Sequence, residues 1–321
     1  MNRVLPELRL KFYLMSHNKP AFVFQPRDVE ILKAIYEHRF LTRGLILPLF
    51  GVEASEEDTN LDRRLRKLTA SGYVRRLRRE NRRSEFVYAL TAAGDEILTK
   101  HQMPLPFADW SEKNRDVKTL FVEHTLMTAR WYVAVLASVK ELSSVTIEHY
   151  ERESRPRGQY ALLRNWHDRG GQLRKVNPDA FLILAGDGVH PGAHFLEADR
   201  STMDHNRMAE KFEYYAAMYR EKRHPEFFGV PSFRVCVIAK SEQRASNLLN
   251  LLIEGTDVRP EERKLFWFTT EETYRESPSN VMATIWRSAD DPHPLRALVG
   301  SPLPRRVPPP KEKDPSVVEG S

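Results

Sequence analysis

The sequence predicts an α+β protein in two unequal parts: a helical, cation-rich first third, then a longer part in which helices alternate with short strands of a mixed sheet. Three observations predict it. Apolar residues recur at helical spacing through 27–39 and 61–68, and beyond residue 145 they shorten to runs of strand length. Between these regimes Met103-Pro104-Leu105-Pro106 interrupts any regular element and marks a boundary. The 321 residues suffice for two ordinary domains, and the 41% hydrophobic content suffices to fill their cores. Cys236 is the only cysteine, which excludes an internal disulfide and any multi-thiolate metal site. No apolar run approaches the roughly 18 residues of a membrane span, and residues 1–11 alternate charge with leucine rather than forming a signal peptide. The expectation is a soluble, cytoplasmic protein without membrane association.

The elements of the first part follow in order. After Pro26, residues 27–39 form a helix with Val29, Leu32, Ile35 and Tyr36 on one face. Thr42 caps a short helix that ends at Phe50 and Gly51. Ser55, followed by Glu56, Glu57 and Asp58, starts a third helix that runs to Ser71 and stops at Gly72. Leu61, Leu65 and Leu68 are its apolar stripe; Thr59, Arg63, Arg66 and Lys67 project away from it, and Asn60 lies to its side. Residues 73–79 then read as a strand, 80–84 as a turn, 85–90 as a returning strand, and Thr91 caps a helix to Lys100. Three helices followed by a basic hairpin is the winged helix-turn-helix order. The predicted organisation is an N-terminal extension over 1–24, this domain over 25–102, and a linker over 103–111.

Charge concentrates in that domain. Between Asp62 and Arg83 lie Arg63, Arg64, Arg66, Lys67, Arg75, Arg76, Arg78, Arg79, Arg82 and Arg83, opposed only by Asp62 and Glu80. The whole chain carries +6, so what lies outside this window is slightly acidic. That is the footprint of a polyanion-binding surface; a solvated charged face is the bland alternative. The segment also resembles bacterial winged-helix regulators, through Gly72-Tyr73-Val74 entering the hairpin and Tyr88-Ala89-Leu90-Thr91-Ala92-Ala93-Gly94 leaving it. The resemblance implies a third helix in the DNA major groove and a wing along the backbone. Thr59, Asn60, Arg63, Arg66 and Lys67 then face bases or phosphates, and Arg78, Arg79, Arg82 and Arg83 meet phosphates. Protein-interaction winged helices are the competing class.

The second part, 112–275, opens with one long helix over 112–142 whose stripe is Val117, Leu120, Phe121, His124, Met127, Trp131 and Val135. It reads as a core or dimerisation helix with His124 as a satisfied interior imidazole. Strands at 145–151, 180–184, 194–199, 233–239 and 264–269, with helices at 204–223 and 243–254, complete an α/β plan. Residues 276–321 read as a C-terminal extension, disordered from Pro302 through Pro308-Pro309-Pro310.

Carboxylates mark a second candidate site. Pro178-Asp179 opens one strand and Glu197-Ala198-Asp199 closes the next, so an antiparallel hairpin brings Asp179 beside Glu197 and Asp199, which share a face. Three convergent carboxylates suit Mg²⁺ or Mn²⁺ and activation of water against a phosphodiester. The arrangement resembles the PD-(D/E)xK nuclease superfamily, a restriction-endonuclease-like fold. That family places a lysine where this chain has Asp199; Lys211, on the following helix, is the candidate replacement. The catalytic set of an active nuclease would be Asp179, Glu197, Asp199 and Lys211. His190 and His194 are separated by Pro191-Gly192, which precludes a helical zinc pair.

Taken in order, the winged-helix opening, Glu123-His124, Asn177-Pro178-Asp179-Ala180, Phe195-Leu196-Glu197-Ala198-Asp199-Arg200-Ser201-Thr202 and the helix from Lys211 to Tyr219 resemble the replication-relaxation family over residues 25–240. The resemblance implies a sequence-dependent double-stranded DNA-binding protein of a plasmid or other mobile element, acting in replication, DNA relaxation, mobilisation or transcriptional control. Expected partners are duplex DNA, replication or mobilisation proteins, and a second copy of the chain. A metal-dependent endonuclease or nickase is the alternative. A small-molecule-sensing repressor is a third class that no Gly-rich phosphate loop supports.

Overall fold

The computed structural model describes residues 23–50, 59–79, 84–105, 110–114, 117–142, 144–152, 166–167, 170–174, 178–186, 189–200, 205–275, 278–293 and 295–299. The first part contains α1 (Pro26–His38), β1 (Leu41–Thr42), α2 (Arg43–Leu49), α3 (Thr59–Ala70), β2 (Val74–Leu77), β3 (Val87–Leu90) and α4 (Ala92–Lys100). Pro26 occupies the first turn of α1, and the Asp28 carboxylate accepts the Gln25 amide at 2.7 Å. Thr42 precedes α2 in extended conformation but makes no side-chain cap bond. The predicted start of the third helix at 55–58 lies outside the described residues. Leu61, Leu65 and Leu68 are fully buried and pack with Ile31, Leu32, Ile35, Phe40 and Ile46.

The chain leaves α3 through Gly72 at φ 79, a left-handed conformation that favours glycine. β1, β3 and β2 then form an antiparallel sheet in that spatial order. The hydroxyl of Thr91 lies 2.7 Å from the Gly72 carbonyl and 3.0 Å from that of Tyr73, with one proton to give between them, and accepts the Gly94 amide at 3.3 Å, which ties α4 to the start of the hairpin. A Cβ at Gly94 would stand 2.5 Å from the Tyr73 carbonyl oxygen, so the close approach requires glycine.

The single helix expected over 112–142 is two: α5 (Trp110–Lys113) and α6 (Thr119–Glu141). α5 stops at Asn114, whose side-chain oxygen accepts from Arg39 Nε at 2.7 Å. Nor does α6 bury one stripe. Val122, Leu126, Ala129 and Val133 join the first core, whereas Met127, Trp131, Ala134 and Val135 join a core beneath the large sheet. Leu120, expected on the buried stripe, is 57% exposed near the start of α6.

The second part continues with β4 (Val145–Arg152), β5 (Trp166–His167), β6 (Leu173–Arg174), β7 (Ala180–Gly186), β8 (Val189–Asp199), α7 (His205–Arg220), α8 (His224–Phe228), β9 (Phe233–Ala239), α9 (Glu242–Glu254), β10 (Phe266–Thr270), α10 (Glu271–Arg275) and β11 (Arg287–Ser288). Among the described residues β5 and β6 form a separate two-stranded pair. The other strands form a six-stranded mixed sheet in the order β11-β10-β9-β8-β7-β4, parallel from β8 through β10 and antiparallel elsewhere.

Strand alternation sorts this sheet into two faces. Phe181, Ile183, Phe195, Val235 and Val237 pack with residues of α7 and α9; Leu182, Leu184, Leu196, Cys236 and Ile238 pack with α6. Part of the stretch expected as a C-terminal extension belongs to this fold. Val281, Met282, Ile285 and Trp286 are buried in the α6-side core, Trp286 donates to the Val281 carbonyl at 2.8 Å, and β11 adds an edge strand. The tail from Pro302 lies outside the described residues. Among those described, no helix is long and apolar enough to cross a membrane.

Candidate nucleic-acid interface and buried carboxylate site

Because α3 buries its leucine stripe, it turns Asn60, Arg63, Arg66 and Lys67 to solvent. Asn60 Oδ1 accepts from Arg63 at 3.0 Å, and Arg66 Nε reaches the Asp62 carbonyl at 3.3 Å. Arg64 turns inward instead, where it is 3% exposed and ion-paired with the fully buried Asp28 of α1. On the hairpin Arg76 lies over the Phe86 ring at 4.2 Å, and the exposed Arg78 lies at 5.8 Å from the same ring. Arg79, read from the sequence as a phosphate contact, forms a bidentate pair with Glu123 of α6 at 2.7 and 2.8 Å. The side chain of Thr59, and Arg82 and Arg83 altogether, lie outside the described residues.

The second site forms where β7 begins and β8 ends. The Asp179 amide donates to the Leu196 carbonyl at 2.9 Å, which locks the strand register and brings Asp179 beside Glu197. Asp179 Oδ2 accepts the Ala198 amide at 2.8 Å and lies 3.1 Å from His124 Nε2 on α6. Glu197 faces α7, where Lys211 Nζ donates to Oε2 and Tyr215 OH donates to Oε1 at 2.7 Å. Asp199 has a different partner: Arg244 of α9 binds both its oxygens, at 2.8 and 3.1 Å.

The electrostatics follow from this wiring. Burial pushes the Glu197 carboxyl up to about 7, opposed by Lys211 and reinforced by Asp179. Burial also acts upward on Asp179, but the charges of His124 and Lys211 with the bonds from His124 and the Ala198 amide hold it well below the carboxylate range. Asp179 raises His124 against desolvation, favouring the imidazolium. Desolvation works to lower Lys211, and Glu197 with Asp179 outweighs it.

The sequence model of the replication-relaxation family matches residues 32–230, from within α1 to just beyond α8 and well over half of the chain. The chain belongs to the replication-relaxation family. Membership points to a role in the replication or relaxation of mobile elements. No curated protein and no solved structure gives a match. Both the cationic face of α3 and the Asp179 site fall inside the matched span of this replication-relaxation protein.

The divalent ion expected from the sequence resemblance to the nuclease superfamily meets an unsuitable donor set here. Both Glu197 oxygens accept hydrogen bonds, and the Asp199 carboxylate is closed by Arg244. Among the described residues no group of three His, Cys, Asp or Glu side chains could hold a metal ion. The structure thus gathers Asp179, Glu197 and Lys211 and sets Asp199 apart. It adds His124 and Tyr215, which the sequence reading left out of the site. Tyr215 lies one helical turn after Lys211, a spacing that reveals a shared face, and His124 sits in the Glu123-His124 pair already singled out. Arg244 carried no comparable signal, because only the packing of α9 beside the β8–β9 pair brings it to Asp199.

Proposed function

We propose that this replication-relaxation protein binds double-stranded DNA through a winged helix-turn-helix formed by α1 to α4 and the β2–β3 hairpin, in the service of mobile-element replication, relaxation or mobilisation, or of transcriptional control. The observation that carries the reading is the division of α3. Three fully buried leucines fix the helix to the core, and Arg63, Arg66 and Lys67 stand in solvent on the other side. A rigid, outward-facing cationic helix suits the major groove, where arginine and lysine reach guanine edges or phosphates and Asn60, near the helix start, reaches adenine. Arg76 and Arg78, braced on Phe86, supply backbone contacts from the hairpin.

Electrophoretic or fluorescence titration of duplex DNA at several salt concentrations tests this. Each phosphate contact contributes a slope of about 0.9 log units of affinity per log unit of salt. Arg63→Ala with Lys67→Ala should weaken binding at least tenfold and flatten the slope by about one to two units if one or both meet phosphate. Unchanged affinity and slope would remove α3 as the reading element.

A further inference from the structure

We propose that Glu123 restrains duplex binding: in the free protein it holds Arg79 of the hairpin against α6, and a phosphate of bound duplex takes Arg79 from it. The proposal rests on the DNA-binding reading and adds how that surface is regulated. Arg79 directly follows Arg78, which stands exposed beside the Phe86 ring of the hairpin. Its guanidinium turns the other way, to α6, where Nε and Nη2 donate to the two Glu123 oxygens at 2.7 and 2.8 Å.

Chemistry makes Glu123 and a phosphate rivals for one group. Each presents two oxygens that match the guanidinium fork, and Arg79 cannot give the same two N–H groups to both. The holder is fixed. α6 sinks Val122 and Leu126 into the first core and Met127 into the core beneath the large sheet, so Glu123 cannot follow the arginine outward.

The held group is not sealed in. The Arg79 and Glu123 side chains keep 24% and 13% of their surface open to water, and such a pair is weak. Water also reaches Glu123, so departure of Arg79 does not strand a fully enclosed charge. Duplex DNA sets about one negative charge along every 1.7 Å of its axis, a denser field than a single carboxylate supplies. Linkage makes the effect mutual: loss of the Glu123 charge tightens duplex binding, and duplex binding frees the hairpin from α6.

Titration of a short duplex into full-length wild type, Arg79→Ala, Glu123→Gln and the double variant, at several salt concentrations, tests the proposal. Arg79→Ala should flatten the salt slope by about 0.9 log units, as one phosphate contact is lost. Glu123→Gln should tighten binding about fivefold, the cost of parting a screened pair. That gain should vanish when Glu123→Gln is made together with Arg79→Ala and compared with Arg79→Ala alone. Equal tightening in both backgrounds would reduce Glu123 to a negative charge near the DNA, and an unchanged slope in Arg79→Ala would mean that Arg79 never meets phosphate; either overturns the proposal. Arginine-labelled wild type gives a reading that needs no altered protein in the complex. The Nε–H signal of Arg79, assigned by its loss in Arg79→Ala, should shift on saturation with duplex, and a signal that stays in place overturns the proposal as well. If neither wild type nor any variant binds duplex, the winged-helix reading falls and takes the restraint with it; duplex binding indifferent to Arg79 and Glu123 brings down the restraint alone.

Discussion

Arg63 and Arg64 are neighbours in the sequence and opposites in the structure. Arg63 faces solvent, whereas Arg64 is enclosed with Asp28 and takes no part in the outward field. Counting charge along the chain cannot separate them, but helix geometry does: at about 100° per residue, Arg64 falls about 60° from Leu61, on the margin of the leucine stripe. The pair ties α3 to α1. Removing one partner of a buried ion pair strands the other charge, at a cost of about 3–5 kcal/mol. Asp28→Ala should accordingly lower stability by about 3 kcal/mol or more in a urea titration, while the exposed Arg63→Ala stays within about 0.5 kcal/mol. Equal losses for the two variants would mean that Arg64 is solvated. His124 teaches a related lesson: its position on an apolar stripe reads as core, yet the stripe ends where α6 emerges, and the imidazole meets Asp179 across 55 residues of sequence.

At the scale of elements, strands with several buried positions in a row were legible. β9 lies where the run 233–239 places it, because a strand covered on both faces is mostly apolar, with Arg234 the one exception in this run. The edge pieces were not legible: β1 and β11 have two residues each, and the stretch around Trp286 is held by a buried indole rather than by any repeating pattern. The break between α5 and α6 was hidden as well: no proline or glycine marks it, and Asn114, just past the end of α5, is held by Arg39, far away in sequence. The hairpin and α6 are joined by Arg79 and Glu123, whose side chains are 24% and 13% exposed. Partial exposure screens the pair, and a coupling energy of about 1 kcal/mol is expected. Arg79→Glu and Glu123→Arg should each destabilise, and the double variant should recover part of the loss in a denaturation cycle. Strictly additive effects would show that the two side chains do not hold each other.

For the whole molecule, α6 is the shared wall. It gives one face to the core of the first part and another to the core beneath the six-stranded sheet, a width that a reading based on one stripe does not reveal. His38 sits at the same seam: from the end of α1 its ring lies 5.4 Å from Tyr132 of α6 and 6.0 Å from Tyr150 of β4, and those two tyrosines stack at 3.6 Å. Burial, with the charge of Arg152 second, holds His38 down to about 3; burial, with Arg234 second, holds His194 to about 3 in the sheet. Both are neutral when folded, while the unfolded chain protonates them below about 6.5. Between about 6.5 and 3 these two sites therefore bind more protons in the unfolded state, and their contribution to stability rises with pH across that window and drains away as the solution is acidified. Each histidine contributes a slope of about 1.4 kcal/mol per pH unit. Glu197 and His124, both raised in the folded state, take up protons on folding in the same range and offset part of this slope, so the test is a difference: His38→Phe should reduce the slope of urea midpoints between pH 7 and pH 4 by about one proton's worth. Since His38 touches elements of both parts, tryptophan fluorescence, which Trp131, Trp267 and Trp286 supply from the sheet side, should change at the same midpoint as far-ultraviolet circular dichroism. Two separated transitions, or an unaltered slope in His38→Phe, would mean that the two cores come apart independently and that the seam does not link them.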